Sequence, residues 1–459
     1  MVRINPQIFR EYDIRGIVGE DLTEKTVYLI GRGYGSFLRQ NHINQAVLGR
    51  DPRLSSYAYS RAICQGLCDA GVDVIDIGMV PTPLMYFARV YYEIEGGVMV
   101  TGSHNPPEFN GFKLGFGPDT LYGDGIQNIL RIIEKGEFET GTGSVEYKDP
   151  LPAYVEDIAS RITLGPKDLF CVVDAGNGAT GPVVQAVFDR LGVKYHGLYL
   201  EPDGTFPNHH PDPTRLENLC DLIEAVKSQE ADLGIAFDGD GDRIGVVDDS
   251  CKALWGDELQ AVFWSEILPK HPGTLALIEV KCSQSLFDVV EELGGKPEFT
   301  QAGHSLIKAR MRQTGALFAG ELSGHMFFKD EYYGFDDAIY AAVRLLRLLS
   351  NSDRALSDFV AEFPKYCSTP EVRVYCPDEE KFKVVQQLIE DLSRDYEVVT
   401  VDGVRVILPY GWGLVRASNT QPALVLRAEA KTEDQLENIK SLIEEKLGQY
   451  PAVGVIEWN

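Results

Sequence analysis

The sequence lacks three features that would assign the chain to a specialised class: a CxxC pair, an apolar run of membrane length and an excess of basic residues. Its eight cysteines are scattered, and the closest two, Cys64 and Cys68, have the spacing of one helix face. Without zinc spacing or a secretory signal, we expect buried thiols rather than metal ligands or disulfides. No stretch of about 20 apolar residues is present, and MVRINPQIFREYD at the start has neither a basic nor an apolar segment. These absences predict a soluble, cytoplasmic protein.

The charge balance limits the partners further. A formal net charge of -26 argues against nucleic acid and against an anionic membrane, because both require a basic surface. A small anionic substrate is still compatible, since exposed charges are screened beyond about 8 Å at physiological salt and a few Arg and Lys residues can dominate locally. Monomer and dimer are both left open.

Short apolar runs such as LGIAF and TLALIEV alternate with helical patterns such as LFDVVEELGG through the first three quarters of the chain. This alternation predicts α/β layers with largely parallel strand pairing. In the last segment two helical patterns flank strands such as ALVLRAEA, which predicts a small α+β module with an antiparallel sheet. Polar or glycine-rich junctions separate four predicted domains, which are residues 1–149, 150–251, 252–367 and 368–459.

Residues 101–113, TGSHNPPEFNGFK, place Ser103 beside His104 in a loop whose prolines and glycines exclude a helix. Neighbouring side chains on an extended chain point to opposite faces, so His104 is poorly placed to deprotonate Ser103 directly. The pair therefore indicates some chemistry other than simple hydrolysis.

Residues 238–243, DGDGDR, follow the apolar strand LGIAF and precede another, IGVVDD. Three carboxylates at alternate positions, separated by glycines, can converge on one hard cation. A calcium-binding EF-hand would need glycine and glutamate where Arg243 and Asp249 stand, and helices on both sides. A solvated acidic turn is less favourable, because burying three Asp residues without a counter-ion is costly. We predict a metal site.

Residues 176–181, GNGATG, match the dinucleotide fingerprint between a strand and a helix, with Glu201 about 20 residues further on. Alone, this motif favours an NAD-dependent dehydrogenase. The same residues also suit any tight turn into a helix opened by Pro182, and no other feature requires a nicotinamide.

Two further loops carry polar groups. Residues 416–422, RASNTQP, combine a guanidinium, hydroxyls and an amide that can cradle a phosphate dianion. In residues 320–325, GELSGH, the side chains of Glu321, Ser323 and His325 occupy alternate positions and can present polar groups to sugar hydroxyls. Each loop is also compatible with an ordinary turn or strand end.

With TGSHNP, DGDGDR, GELSGH and RASNTQP in this order and one in each predicted domain, the chain closely resembles the α-D-phosphohexomutase superfamily. GELSGH, RASNTQP and the opening FREYDIRG are most similar to the bacterial phosphomannomutase/phosphoglucomutase group, with phosphoglucosamine mutases as the alternative. The resemblance implies three similar α/β domains with mixed or parallel sheets and a smaller C-terminal α+β domain around a central cleft. It also implies that the GNGATG turn is structural.

The resemblance implies roles for particular residues. Ser103 carries a phosphoryl group, and Asp238, Asp240 and Asp242 hold one Mg²⁺ beside it. Glu321 and Ser323 bind sugar hydroxyls, and the non-reacting phosphate is bound by Arg416, Ser418, Asn419 and Thr420. Further polar positions that match the family are Tyr12, Arg15, His104, Lys113, Arg243, Lys281, His304 and His325.

The implied reaction interconverts hexose 1-phosphate and hexose 6-phosphate, with mannose, glucose or both as the sugar, through a hexose 1,6-bisphosphate that also acts as activator. A phosphoserine adds about two negative charges and three aspartates add three, so one Mg²⁺ leaves a local charge near -3. Cations are therefore needed, and Arg15, Lys113, Arg243 and Lys281 are the candidates. Lys113 and His304 are the candidates for proton transfer at the sugar hydroxyl. A phosphosugar-binding protein without catalysis is an alternative from another class.

Overall fold

The computed structural model of the chain describes residues 4–419 and 421–458. Its packing divides these residues into two units. The first unit contains the residues up to Gly256 together with Ser323–Phe359, and the second contains Asp257–Leu322 and the residues from Val360 onward.

Residues 4–149 form a mixed sheet packed against helices. Their elements are a 3-10 turn (Pro6–Ile8), β1 (Ile14–Ile17), α1 (Glu24–Gln40), β2 (Gln45–Arg50), α2 (Ser56–Asp69), β3 (Asp73–Met79), α3 (Thr82–Tyr91), β4 (Gly96–Val100), β5 (Phe109–Phe116), β6 (Asp119–Thr120), α4 (Asp124–Lys135) and β7 (Val145–Tyr147). The strand order is β1-β5-β4-β2-β3-β7, with β6 on β5. Pairing is parallel among β4, β2, β3 and β7 and antiparallel where β5 meets β4, β1 and β6. The turn from β4 to β5 carries Ser103.

The next segment builds a second sheet in the same unit. Its elements are α5 (Leu151–Arg161), β8 (Phe170–Asp174), α6 (Gly181–Leu191), β9 (Lys194–Leu198), a 3-10 turn (Leu216–Leu219), α7 (Cys220–Gln229), β10 (Leu233–Phe237), β11 (Ile244–Asp248) and β12 (Ala253–Leu254). The strand order is β12-β11-β10-β8-β9. Strands β8 and β10 are parallel, so the turns that follow them lie at the same edge of the sheet. These turns are GNGATG and DGDGDR.

The second unit opens with a parallel three-strand core. Its elements are α8 (Gly256–Ile267), β13 (Leu275–Glu279), α9 (Gln284–Glu292), β14 (Lys296–Thr300), α10 (His304–Thr314) and β15 (Phe318–Gly320). Strand β13 pairs in parallel with both β14 and β15.

The segment Ser323–Phe359 belongs to the first unit and contains β16 (Met326–Phe328), α11 (Ala338–Ser350) and the first residues of α12 (Leu356–Ala361). Helix α11 begins after Asp337, whose side chain caps it by accepting from the Tyr340 N–H. The cap fixes the start of a helix that is buried along most of its length.

The C-terminal part of the second unit is an antiparallel sheet with two helices. Its elements are β17 (Cys367–Ser368), β18 (Val372–Tyr375), α13 (Asp378–Leu392), β19 (Glu397–Val399), β20 (Val404–Leu408), β21 (Gly411–Ala417), β22 (Ala423–Ala430) and α14 (Glu433–Leu447). The strand order is β17-β22-β21-β20-β19, with β18 also on β22. Apolar side chains of both helices and of the sheet share one core.

The predicted fold class is confirmed: three α/β segments with parallel or mixed sheets precede an α+β segment with an antiparallel sheet. The four domain boundaries stay a prediction. All eight cysteines are free, as expected, but only four of them, Cys68, Cys171, Cys282 and Cys376, are buried. Cys64, Cys251 and Cys367 are partly buried, and Cys220, the first residue of α7, is exposed. None of the helices in the described part of the chain is both long and apolar enough to span a membrane.

Candidate active site

Ser103 lies in the turn between β4 and β5 and is 2% exposed. Its backbone is left-handed, with φ of 50°, an uncommon conformation for a residue with a side chain. The Ser103 hydroxyl donates a hydrogen bond to the Asp238 carboxylate at 2.9 Å. His104, in contrast, pairs its Nδ1 with the Asp212 carboxylate at 3.4 Å. The expectation that His104 does not serve Ser103 as a base agrees with these contacts.

The three aspartates of DGDGDR are fully buried in the hairpin between β10 and β11. Asp238 accepts from the main-chain N–H groups of Asp242 and Arg243 at 3.0 and 3.2 Å, which closes the loop around it. Asp240 accepts from the Thr82 hydroxyl at 2.5 Å, which ties the loop to the start of helix α3. One oxygen of each aspartate lies within 4.8 Å of one oxygen of the other two. The hairpin therefore brings the predicted carboxylates together.

Lys113, on β5, reaches this acidic cluster. Its ammonium donates to Asp240 at 2.7 Å and also to Asp242. Burial would lower the pKa of Lys113, but the two carboxylates raise it above its ordinary value. Burial would likewise raise the pKa of Asp240, which the Lys113 ammonium lowers. Lys113 is therefore held as a cation between two of the carboxylates.

The acidic cluster fits a hard divalent cation. Among the described residues, Oδ1 of Asp240 and Oδ1 of Asp242 are buried and have no hydrogen-bond partner. Burial, and then its two neighbouring carboxylates, raise the pKa of Asp238 well above its ordinary range. Unpartnered buried carboxylate oxygens with strong mutual repulsion are the donor set that an oxygen-binding cation would satisfy.

Three more of the predicted polar residues, Arg15, Tyr12 and His104, lie in the first unit. Arg15, on β1, donates to the Asn105 side chain at 2.8 Å and to Asp13 at 2.5 Å. Tyr12 lies just before β1 and is half-buried. Burial, and then the positive charge of Arg243, lower the pKa of His104 to about 3. His104 is therefore a neutral side chain of the turn at neutral pH.

Arg243 and His325 form a second polar contact in the first unit. The Arg243 Nε–H donates to His325 Nε2 at 3.0 Å, so that nitrogen is an acceptor. The other ring nitrogen lies 3.1 Å from Asp336 and 3.7 Å from Asp242. Ser323, two residues before His325, is half-buried.

The GNGATG turn supports the acidic hairpin. The Ala179 N–H donates to the Gly239 carbonyl at 3.0 Å, and a Cβ at Gly178 would lie 2.8 Å from the same oxygen. Asn177 donates to the main-chain carbonyl of Glu201 at 2.8 Å. An N–H group that a dinucleotide pyrophosphate would need is thus already bound to the hairpin, and the turn has a structural role.

The second unit contains its own cluster of predicted residues. The Lys281 ammonium donates to Glu371 at 3.1 Å and lies 3.7 Å from Glu279. Burial would lower the pKa of Lys281, but these carboxylates raise it. The Glu321 carboxylate accepts from the Gly303 N–H at 2.7 Å, immediately before His304 at the start of α10. The buried His304 ring accepts from Lys308 at 3.3 Å, one turn along the helix.

The RASNTQP segment begins with the last two residues of β21. Arg416 donates to Asp402 at 2.9 Å, and the same carboxylate oxygen accepts from the Ala302 N–H at 3.1 Å. Asp402 thereby connects the predicted phosphate loop to the turn that contacts Glu321. The Ser418 hydroxyl accepts from the Gln421 N–H at 3.2 Å, and Asn419 follows it at half-burial. Thr420 lies outside the described residues.

Sequence reasoning missed several residues in contact with these groups. Asp336, Glu371 and Asp402 each pair with a predicted cation or histidine, and Arg53 contacts the serine turn. Only the acidic pair in GFDD, residues 334–337, and the charged GRDPR, residues 49–53, offered a local signal, because the pairings join residues that are far apart in sequence.

Comparisons with known proteins agree with this architecture. Family models described as phosphoglucomutase/phosphomannomutase, alpha/beta/alpha domains I, II and III, match residues 6–140, 152–251 and 255–366, and the C-terminal domain model matches residues 371–446. A phosphomannomutase/phosphoglucomutase of Pseudomonas aeruginosa is 46% identical over 96% of this chain and 95% of its own length. A phosphoglucomutase of Neisseria gonorrhoeae is 43% identical over 96% of both chains.

Among solved structures, a phosphoglucomutase/phosphomannomutase family protein of Burkholderia thailandensis superposes with a TM-score of 0.93 at 42% identity. The superposition covers 99% of this chain and 100% of the other. The matches extend over nearly the whole chain and include all four sequence loops. The chain therefore belongs to the phosphoglucomutase/phosphomannomutase family.

Proposed function

We propose that this chain is a phosphohexomutase that interconverts the 1- and 6-phosphates of mannose, glucose or both, through a phosphoserine at Ser103 and a hexose 1,6-bisphosphate. The observation that carries the proposal is the hydrogen bond from the Ser103 hydroxyl to Asp238, inside a buried cluster of three carboxylates and Lys113. Family membership supports the same class of activity.

Asp238, Asp240 and Asp242, with the phosphoryl group on Ser103, are the proposed ligands of one Mg²⁺ per chain. When bound, this cation would neutralise negative charge on the phosphoryl oxygens beside Ser103. The two unpartnered oxygens, on Asp240 and Asp242, support this assignment.

In the first proposed transfer, the bond between phosphorus and Ser103 Oγ breaks and a bond from phosphorus to the oxygen of the free sugar hydroxyl forms. That hydroxyl loses its proton and Ser103 Oγ gains one, so the serine is released as a hydroxyl. Lys113, Arg15 and Arg243 stabilise charge on the equatorial oxygens. In the second transfer the bisphosphate, bound in the other orientation, returns its other phosphoryl group to Ser103. A guanidinium group is a poor proton shuttle, so the contribution of Arg15 and Arg243 is electrostatic.

Lys113 and His304 are the proposed groups for proton transfer at the sugar hydroxyl. The contacts of Lys113 with two carboxylates favour its protonated form, which suits a proton donor. To act as a base instead, Lys113 would first have to lose a proton that both carboxylates stabilise.

The remaining predicted residues are assigned to recognition. Glu321 and Ser323 bind the ring hydroxyls in both orientations of the sugar. The non-reacting phosphate is assigned to Arg416, Ser418, Asn419 and Thr420, and further polar contacts to Tyr12, His104, Lys281 and His325. The buried guanidinium of Arg416 supports a dianion subsite.

The test replaces the phosphoryl carrier. Ser103→Ala, primed with a trace of hexose 1,6-bisphosphate, should lose at least about 10³-fold in turnover, because no oxygen remains to carry the phosphoryl group. Exchange between mannose or glucose 1- and 6-phosphates is followed by ³¹P NMR, with glucosamine phosphates as a third substrate. Ser160→Ala, an exposed serine on α5, serves as control and should keep full activity. Wild-type turnover in Ser103→Ala would overturn the proposal.

A further inference from the structure

The serine turn has little regular structure to hold it. Ser103 keeps a left-handed backbone with φ of 50°, which disfavours any residue that has a Cβ. One local bond, from the Ser103 N–H to the Thr101 hydroxyl at 2.8 Å, fixes its amide. The direction of the Ser103 hydroxyl depends on this backbone conformation, so the turn needs support from elsewhere in the fold.

That support comes from Arg53, which is 2% exposed and lies three residues after β2. A guanidinium has five N–H groups, and all five of Arg53 have acceptors. The acceptors are the Asp51 carboxylate at 3.1 Å and the main-chain carbonyls of Ser103, Asn105, Pro106 and Phe109 at 2.7, 2.5, 2.7 and 3.0 Å. One side chain therefore binds three carbonyls of the turn and the carbonyl of Phe109, the first residue of β5.

The guanidinium is itself fixed on several sides. Asp51 also accepts from the Gly102 N–H at 3.1 Å and from the Arg53 N–H at 3.0 Å. The Phe206 ring lies 5.2 Å from the guanidinium carbon. A Cβ at Gly102 would approach that carbon to 2.6 Å, so the turn passes directly over the guanidinium. Asp51 and Arg53 together bind both ends of the turn around Ser103.

We propose that Arg53, held by Asp51, is a positioning residue that maintains the left-handed conformation of Ser103 and so directs its hydroxyl to Asp238. Because every N–H of Arg53 has an acceptor, none is left for a phosphoryl oxygen, and Arg53 acts through the turn rather than on the substrate. The expected effect on kcat rests on the proposed mutase function. The role of Arg53 in holding the turn around Ser103 does not depend on that function.

The chain offers a matched control. Arg89, on α3, is also buried and donates to three main-chain carbonyls, those of Glu95, Gly117 and Asp119. These carbonyls lie beyond the opposite ends of β4 and β5 from Ser103. Arg53→Lys and Arg89→Lys each replace a forked donor by a single ammonium, so both should lower the melting temperature.

The two variants should differ in turnover. We expect Arg53→Lys to lower kcat at least tenfold and to change KM for the hexose phosphate less than about threefold, whereas Arg89→Lys keeps kcat within twofold of wild type. Hydrogen exchange of peptides covering residues 101–109 should become at least tenfold faster in Arg53→Lys only. Equal kcat and equal exchange of this turn in both variants would overturn the proposal.

Asp51→Asn provides a second route if Arg53→Lys fails to fold. It keeps the shape of the side chain but removes the charge that fixes Arg53, and it should give faster exchange of residues 101–109 and a lower kcat. If hydrogen exchange of residues 101–109 and kcat are both unchanged in Asp51→Asn, that result would count against the positioning role of Arg53. If the wild-type protein did not interconvert hexose phosphates, the proposed function would be wrong. The hydrogen-exchange measurement on residues 101–109 would still decide the structural role of Arg53.

Discussion

Glu371 stands between two cations of the second unit, and its charge bears on anion binding there. One carboxylate oxygen accepts from Lys281 at 3.1 Å, and the other accepts from Arg373 at 2.5 Å. Burial opposes ionisation, but Lys281 and Arg373 lower the pKa of Glu371 to about 2. At neutral pH the carboxylate therefore offsets positive charge next to a lysine assigned to substrate recognition.

Glu371→Gln should strengthen binding of the phosphorylated sugar. The amide keeps the size of the side chain and removes one negative charge near Lys281, so KM is expected to fall about two- to fivefold, or roughly 1 kcal/mol at most. The measurement is steady-state kinetics at low and high salt, because screening should reduce the difference.

Glu380→Gln is the control for this change. Glu380 lies on α13 and pairs with Lys383 on the exposed face of that helix, so the charge change is the same but its surroundings contain no assigned substrate residue. A KM that rises or stays constant in Glu371→Gln would contradict the expectation, as would an equal fall in Glu380→Gln.

At the scale of single elements, the start of helix α11 depends on a buried carboxylate. Asp337 accepts from the hydroxyls of Tyr154 and Tyr332 at 3.0 and 2.8 Å and from the Tyr340 N–H at 2.9 Å. Burial raises the pKa of Asp337 from 3.8 to about 6, although these hydrogen bonds oppose the shift. The carboxyl group therefore binds a proton more tightly in the folded than in the unfolded chain.

This pKa shift predicts a pH dependence of stability. Between about pH 4 and pH 6 the folded state holds more protons at Asp337, so the free energy of unfolding falls as pH rises through this window, by on the order of 3 kcal/mol in total. In Asp337→Asn this contribution is absent. The melting temperature of wild type minus that of Asp337→Asn should decrease from pH 4.5 to pH 6 and stay constant above pH 7.

Asp73→Asn is the control, because the fold lowers the pKa of Asp73 whereas it raises the pKa of Asp337. Hydrogen bonds from Ser144 lower the pKa of Asp73, so its contribution to stability is lost only as pH falls below about 4. Its melting-temperature difference from wild type should be constant from pH 4.5 to pH 7. A constant difference for Asp337→Asn as well would show that Asp337 does not titrate in this range.

The elements that carry the site were predictable where the signal is local. LGIAF and IGVVD are five-residue apolar runs on both sides of DGDGDR, and both form fully buried strands. The contacts that complete the site were not predictable, because they join distant residues: Arg53 binds carbonyls about 50 positions later, and Asp336 lies 11 residues beyond His325 after an aromatic stretch. GNGATG misled when read alone, because nothing local shows that Gly239 covers it.

At the scale of the whole molecule, which carries a net charge of -26, an added cation can stabilise the fold in two separable ways. Any salt screens repulsion among the exposed carboxylates and stabilises the folded chain. A divalent ion held by Asp238, Asp240 and Asp242 adds stability only if it binds the folded state at that cluster. The three carboxylates are fully buried, so general screening reaches them poorly.

Mg²⁺ should therefore raise the melting temperature beyond the effect of ionic strength. At a concentration about 100 times its dissociation constant the site would contribute roughly 2.7 kcal/mol, which corresponds to a shift of several degrees. NaCl at matched ionic strength gives the screening effect alone, and Asp242→Asn should respond equally to both salts because it lacks one ligand. Chelation with EDTA should abolish hexose-phosphate exchange and Mg²⁺ should restore it. If MgCl₂ and NaCl stabilise the wild-type protein equally and exchange survives exhaustive EDTA, the buried aspartates do not form a metal site, and Lys113 is their counter-ion throughout the reaction.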